Sequence, residues 1–294
     1  MDSELGQIVT AMVTPFTVNN EVNYEEAVKI ANFLIDNGTD TILLAGTTGE
    51  CPTLSHEEEF ELFRTIIRAV KGRAKVMAGT GSNNTKTAIS STQAAEKIGV
   101  DSVLQVVPYY NKPSQEGLYQ HFKAVAENTS LPILLYNIPG RTGKNLEPET
   151  VSRLAAIDNI IGVKEASGCV SQVEKVRAVT PESFNIYSGD DSLTLAFMEK
   201  GACGVVSVAS HCAGLKIKEM IQLFQQGQKE AAYKIGISLD SLFEILFVTT
   251  NPAPVKCALN LMGFDVGGLR LPLVQATLKE QAAVERVMRD LKII

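Results

Sequence analysis

A lysine closes one of the most apolar runs in the chain. Ile160-Ile161-Gly162-Val163-Lys164 reads as a buried strand, and lysine is seldom buried unless its charge is paired or removed. Period-two alternation puts Ile160, Gly162 and Lys164 on one face and Ile161 and Val163 on the other. An amine at such a strand end, one layer above a glycine, is placed to lose its proton and attack a carbonyl. The alternative is a lysine whose stem covers apolar surface while its head reaches water. Taken alone, the run favours that alternative. Other residues shift the balance. Tyr136 ends a second apolar run and offers a phenol for proton transfer. Gly46-Thr47-Thr48-Gly49-Glu50 can turn amides and hydroxyls toward one anionic group. Arg141, in Pro139-Gly140-Arg141-Thr142-Gly143, carries a guanidinium suited to a carboxylate. Each has an ordinary counterpart: a rim tyrosine, a glycine-rich turn, a solvated loop arginine. As a set they fit covalent imine chemistry on a small carboxylated carbonyl compound.

Such a set needs a frame that collects strand ends. Eight short apolar runs fill that role: Ile8–Val13, Thr41–Ala45, Lys75–Ala78, Ser102–Val107, Ile133–Tyr136, Ile160–Lys164, Asn185–Tyr187 and Gly204–Val208. Helical patterns alternate with them. Asn23 caps one, with Gly38 as its stop, and Ser55-x-x-Glu58 is a capping box ahead of another that stops at Gly72. Pro148 opens a helix, and Val173, Val176 and Val179 form a stripe. The pattern is α/β, and eight such units without a long linker predict a closed (β/α)8 barrel over residues 1–215. A C-terminal helical region, 216–294, would pack on it. A doubly wound open sheet is the other candidate. It expects a GxGxxG after the first strand, where Thr14-Pro15-Phe16 stands instead. In a barrel, the strand C-termini form the functional face, which gathers Lys164, Tyr136, Thr47, Thr48 and Arg141.

The totals narrow the function further. The chain has 294 residues, 45% hydrophobic, and a net charge of −6. No basic run suggests nucleic acid, and no apolar stretch approaches a membrane span. Five cysteines, widely spaced and without CxxC, point to reduced thiols in the cytoplasm. Met1-Asp2-Ser3-Glu4-Leu5 lacks the marks of a signal peptide. His56, His121 and His211 make no metal-ligand pattern and read as surface or capping residues. No Ser-His-Asp order, P-loop or metal set appears, and no cofactor or metal is expected.

Four motifs, Gly46–Glu50, Tyr109–Gln115, Tyr136–Gly143 and Ile161–Gly168, resemble the dihydrodipicolinate synthase family. That family belongs to the pyruvate-dependent class I aldolases, with N-acetylneuraminate lyase. The resemblance runs from about Gly6 into the C-terminal region, through Ser188–Asp191, Asn251–Lys256 and Leu269–Pro272. It implies a lyase that condenses pyruvate with L-aspartate 4-semialdehyde, the first step of the lysine and diaminopimelate branch. By resemblance Lys164 forms the Schiff base and Tyr136 relays protons. Thr47 links Tyr136 to Tyr110, which reaches into a neighbouring subunit's site. Thr48 binds the pyruvate carboxylate, Arg141 handles the aldehyde substrate's carboxylate, and Gly189 and Val206 line the pyruvate wall. The resemblance further implies a homo-oligomer, a tetramer built as a pair of tight dimers.

Two other functions compete with this reading. One is a pyruvate lyase acting on a keto sugar acid, against which the Arg-Thr-Gly at 141–143 argues. The other is a non-catalytic barrel sensing a keto acid or an amino acid, which should have lost Lys164 or Tyr136. Feedback by lysine is expected to be weak or absent. Asn83, Tyr109 and His56 are compatible with the effector site of sensitive members. However, Glu59 replaces a histidine there, Thr87 a glutamate and Pro52 an alanine.

Overall fold

The computed structural model describes residues 5–294. Residues 1–4, part of the stretch on which the signal-peptide expectation rests, lie outside the described residues. Eight parallel strands close into a barrel in sequence order. They are β1 (Ile8–Ala11), β2 (Thr41–Leu44), β3 (Lys75–Gly79), β4 (Ser102–Val106), β5 (Ile133–Asn137), β6 (Ile160–Glu165), β7 (Asn185–Ser188) and β8 (Gly204–Ser207). β1 pairs with both β2 and β8, which leaves no edge and rules out the open sheet. All eight expected strands are present, each shifted by at most two residues at its C-terminal end.

Alternation along the strands builds two apolar layers. Val9, Leu43, Met77, Leu104, Leu134 and Val206 fill the barrel interior. Ile8, Ile42, Val76, Val103, Leu135 and Val205 face the helices. The helix signals hold as well. Asn23 accepts from Glu26 N, the Ser55–Glu58 capping box is formed, and Pro148 opens its helix. The helices Lys229–Ile245, Ala253–Leu261 and Leu278–Asp290 add Leu239, Val255 and Val284 to the same outer cluster. Among the described residues, no helix is long and apolar enough to cross a membrane.

Three expectations are corrected. The first concerns β6. Ile133 pairs with Ile160, but Leu134 pairs with Gly162, so the register slips by one residue. Ile160 therefore packs in the outer cluster beside Val163, while Ile161 packs against the interior one. An inserted residue reverses the facing of everything before it. Second, Val179 ends its helix and is 42% exposed, so only Val173 and Val176 are buried. Third, His121 and His211 are buried, not on the surface. The Nδ1 of His121 meets Thr85 Oγ1 at 2.9 Å, and that of His211 meets Val208 O at 2.8 Å.

Candidate active site

The β5–β6 pairing sets Tyr136 directly beside Lys164. Lys164 Nζ lies 4.2 Å from the centre of the Tyr136 ring. Both side chains are buried, at 7% and 4% exposure. Burial lowers the lysine pKa from 10.5 to about 7, Asp191 opposes the shift, and Arg141 adds to it. Desolvation therefore leads, with the nearby guanidinium a smaller contribution. Burial also pushes the Tyr136 phenol up to about 12, against a hydrogen bond from Thr47 and the charge of Arg141. The pair is an amine that deprotonates near neutral pH beside a phenol that keeps its proton.

Behind this pair stand two buried carboxylates to which the sequence reading gave no role. Asp191, after β7, is 4% exposed. It accepts from Ser207 Oγ at 2.5 Å and from the amides of Val208 and Ala209 at 3.0 and 2.9 Å. Burial raises its pKa despite those bonds. Glu165 follows Lys164 on β6 and is paired in register with Asn137 on β5. Asn137 Nδ2 donates to both Glu165 oxygens at 3.2 and 3.0 Å and to Asn145 Oδ1 at 2.8 Å. Its Oδ1 accepts the Leu146 amide at 2.9 Å. The strand ends carrying Lys164 and Tyr136 are thus tied together one residue past the reactive groups. A polar residue following each site residue on its strand was the available signal.

At the two ends of the Gly46–Glu50 loop, Ala45 just before it and Glu50 at its close both have positive φ, at 50° and 56°. The Gly49 and Glu50 amides close turns onto Gly46 O and Thr47 O. Among the described residues, the Thr47 and Thr48 amides have no acceptor in the chain. Thr48 is 3% exposed and accepts from Asn251 Nδ2 at 2.9 Å. Glu50 Oε1 lies 2.6 Å from Lys256 Nζ, with side chains 0% and 1% exposed. The Asn251 and Lys256 contacts, supplied from the C-terminal region, were not anticipated.

A cavity of about 430 Å³ opens over these strand ends. Thr47, Tyr136, Ile138 and Arg141 line one part, and His56, Glu59 and Thr87 another. Arg141 is exposed, on a short helical turn, Pro139–Thr142. Cys51 also lines the cavity, but burial pushes its thiol up to about 12 and keeps it protonated. Lys164, Thr48, Gly189 and Val206 do not line it. Val206 is 1% exposed in the barrel interior. A β-carbon on Gly189 would lie 2.6 Å from Ala166 Cβ and 3.1 Å from Lys164 Cε. Tyr110 stands apart from the other site residues, 89% exposed with φ 73° and outside the cavity lining.

Two expected results follow from this geometry. Attack of the Lys164 amine on a carbonyl compound, followed as the rate of borohydride-trapped adduct, should rise with pH through about 7 and then level off. Only the neutral amine attacks, so protonation on the acid side removes the nucleophile. A flat profile across that range would contradict it. Between the folded value of about 7 and the unfolded value of 10.5, the unfolded chain binds the extra proton. The stability cost of burying Lys164 therefore shrinks as pH rises through that window. Gly189→Ala should displace the Lys164 stem and lower kcat/KM by about 10- to 100-fold while the barrel stays folded. Circular dichroism together with steady-state kinetics checks this.

Residues 4–291 match the model of the dihydrodipicolinate synthetase family. A protein of Nostoc sp. strain PCC 7120, named 4-hydroxy-tetrahydrodipicolinate synthase, is 56% identical over 292 residues, 99% of each chain. The dihydrodipicolinate synthase of Cyanidioschyzon merolae, solved with lysine bound, superposes with a TM-score of 0.98 at 46% identity, covering 100% of each chain. A structure described as the first monomeric dihydrodipicolinate synthase variant gives 0.96 at 39% identity, over 98% of this chain and 97% of that one.

Proposed function

We propose a residue-level mechanism for this chain, which belongs to the dihydrodipicolinate synthetase family. Its reaction is that of a 4-hydroxy-tetrahydrodipicolinate synthase, the condensation of pyruvate with L-aspartate 4-semialdehyde. The observation that carries the mechanism is the buried Lys164 amine, its pKa near 7, against the Tyr136 ring.

Neutral Lys164 attacks C2 of pyruvate, whose carboxylate rests on Thr48 and the loop amides. Tyr136 gives a proton to the carbinolamine hydroxyl, water leaves, and an imine forms. Loss of a methyl proton turns the imine into an enamine. The enamine carbon attacks the aldehyde of the second substrate, whose own carboxylate is held by Arg141. The substrate's amine then adds to C2 and displaces Lys164, which regenerates the free enzyme. Thr47 connects the Tyr136 phenol to a second tyrosine, Tyr110 of a neighbouring copy. Gly189 and Val206 shape the floor below. This chemistry consumes no redox equivalent and calls for no metal or cofactor.

The exposure of Tyr110 supports a homo-oligomer, and we assign a tetramer of paired dimers in the cytoplasm. Sedimentation equilibrium tests the number; a monomer would remove Tyr110 from the mechanism. We divide the sequence at 215/216 into a barrel unit and a C-terminal helical cover, and the helix Ser210–Gln225 crosses that point and joins the two.

The decisive experiment is borohydride reduction with pyruvate followed by mass mapping. An adduct on Lys164 is expected, and its absence overturns the mechanism. Turnover of N-acetylneuraminate or a keto-deoxy sugar acid in place of aspartate 4-semialdehyde would favour the competing lyase. Arg141 at the cavity mouth argues against that. Thr87, lining the far side of the cavity, supplies no carboxylate for an effector's ammonium, and the Glu59 carboxylate on that side is engaged by His56 Nδ1 at 3.0 Å. Sub-millimolar inhibition by L-lysine is therefore not expected in steady-state assays.

A further inference from the structure

Thr48 and Asn251 are 203 residues apart in sequence, yet their side chains meet in the interior at 3% and 5% exposure. Asn251 Nδ2 donates to Thr48 Oγ1 at 2.9 Å. An amide nitrogen has no lone pair to offer, so the direction of this bond is fixed. A hydroxyl has one proton and two lone pairs. Asn251 fills one lone pair and leaves the proton uncommitted. Among the described residues, no side chain or carbonyl accepts that proton, and the Thr47 and Thr48 amides are equally unclaimed.

The other end of the amide sharpens the point. Asn251 Oδ1 is buried without a partner. An unpaired buried carbonyl oxygen is unfavourable, so among the described residues the bond to Thr48 is the one hydrogen bond that holds this amide. The segment around Asn251 is held firmly. It leads into the helix Ala253–Leu261, whose Lys256 pairs with Glu50 at the other end of the Gly46–Glu50 loop. One C-terminal element thus grips the loop at two points, and at one of them it sets the direction of a hydroxyl.

We propose that Asn251 is a positioning residue for the substrate carboxylate. By occupying a Thr48 lone pair it commits the Thr48 proton to an oxygen of the bound keto acid. An asparagine here is a directional device: it can give Thr48 a proton but leaves Thr48 its own. The proposal rests on reading the loop as the pyruvate carboxylate site.

The test follows the pyruvate concentration dependence of the borohydride-trapped Lys164 adduct, alongside steady-state KM and kcat. Asn251→Ala should raise KM for pyruvate about 10-fold, with kcat at saturating pyruvate within about threefold of the unmodified enzyme. Asn251→Asp should do worse, about 100-fold. Its oxygens accept the Thr48 proton, and its charge repels the carboxylate. In a Thr48→Val background, Asn251→Ala should add less than about twofold.

Unchanged pyruvate dependence in Asn251→Asp overturns the proposal. So does an Asn251→Ala effect of the same size with and without the Thr48 hydroxyl, and so does a fall in kcat at constant KM. If Asn251→Ala does not fold, the isosteric aspartate carries the test. If neither folds, Thr48→Val decides it: unchanged pyruvate dependence there is equally fatal. Failure of the underlying reading looks different. The unmodified protein would then form no adduct at any pyruvate concentration.

Discussion

Replacing Lys164 with alanine is expected to lower kcat by about a thousandfold or more and to abolish the borohydride-trapped adduct, with the barrel still folded. The expectation rests on the lack of a substitute. Burial holds the cavity's Cys51 thiol at about 12 and the Tyr136 phenol at about 12, so neither is ionised near neutrality. Burial moves the lysine the other way, to about 7, because desolvation disfavours whichever form is charged. One environment therefore arms a single group and silences its neighbours. Lys164→Arg separates charge from nucleophilicity. A guanidinium keeps the positive charge but does not lose its proton in a protein, so this variant should be as inactive as the alanine. Undiminished turnover in either variant would place the chemistry elsewhere.

The second large effect is on stability. Lys256→Ala is expected to destabilise the fold by roughly 3–5 kcal/mol, because it leaves Glu50 as an uncompensated buried carboxylate. The lysine also donates to Gly268 O at 2.8 Å and lies 4.1 Å from the centre of the Phe16 ring. Burial lowers its pKa to about 8, with the Glu50 charge opposing, so it remains protonated at neutral pH. Thermal and denaturant unfolding measure the loss. The informative control is the double variant Glu50→Gln with Lys256→Met. Removing both charges takes away the desolvation penalty along with the attraction, so most of the stability should return. If the double variant is no more stable than Lys256→Ala, the ion pair is not what the single change broke. The Arg270 amide also donates to Glu50, at 3.1 Å. Loss of the Lys256 anchor should therefore reach the Gly46–Glu50 loop, and on the proposed mechanism it should weaken pyruvate binding as well.

The sequence was readable where one local rule acted alone. Alternation located eight strands, and caps at Asn23, Ser55 and Pro148 located helix starts. Lys164 stood out because a cation at the end of an apolar run conflicts with burial. The β6 slip was hidden because Ile160 and Ile161 are equally apolar and accept either face. Contacts spanning most of the chain were hidden for a different reason. Nothing near Thr48 or Glu50 announces Asn251 or Lys256, and only barrel closure brings the C-terminal segment behind the loop. His121 and His211 look like surface residues until each finds a partner for a ring nitrogen in the interior. Tyr110 shows the opposite limit. Its motif was plain, but its position outside its own chain's cavity depends on a positive φ that the sequence does not declare.

Gly189, against the stem of Lys164, bears on how such a barrel can change over generations. A side chain at Gly189 collides with Ala166 and the stem of Lys164, one at Gly79 meets Ala45 O at 2.2 Å, and one at Gly81 meets Val106 N at 2.5 Å. At Gly140, beside Arg141, a β-carbon meets nothing within 4 Å. These three positions are closed to new side chains, and the turn beside Arg141 is open. A descendant of this protein that takes a new aldehyde can explore substitutions at the rim one at a time with its nucleophile intact. A descendant that takes a bulkier nucleophilic partner has to rebuild several backbone contacts at once. The backbone therefore leaves room for single changes beside Arg141 and none at Gly189, Gly79 or Gly81.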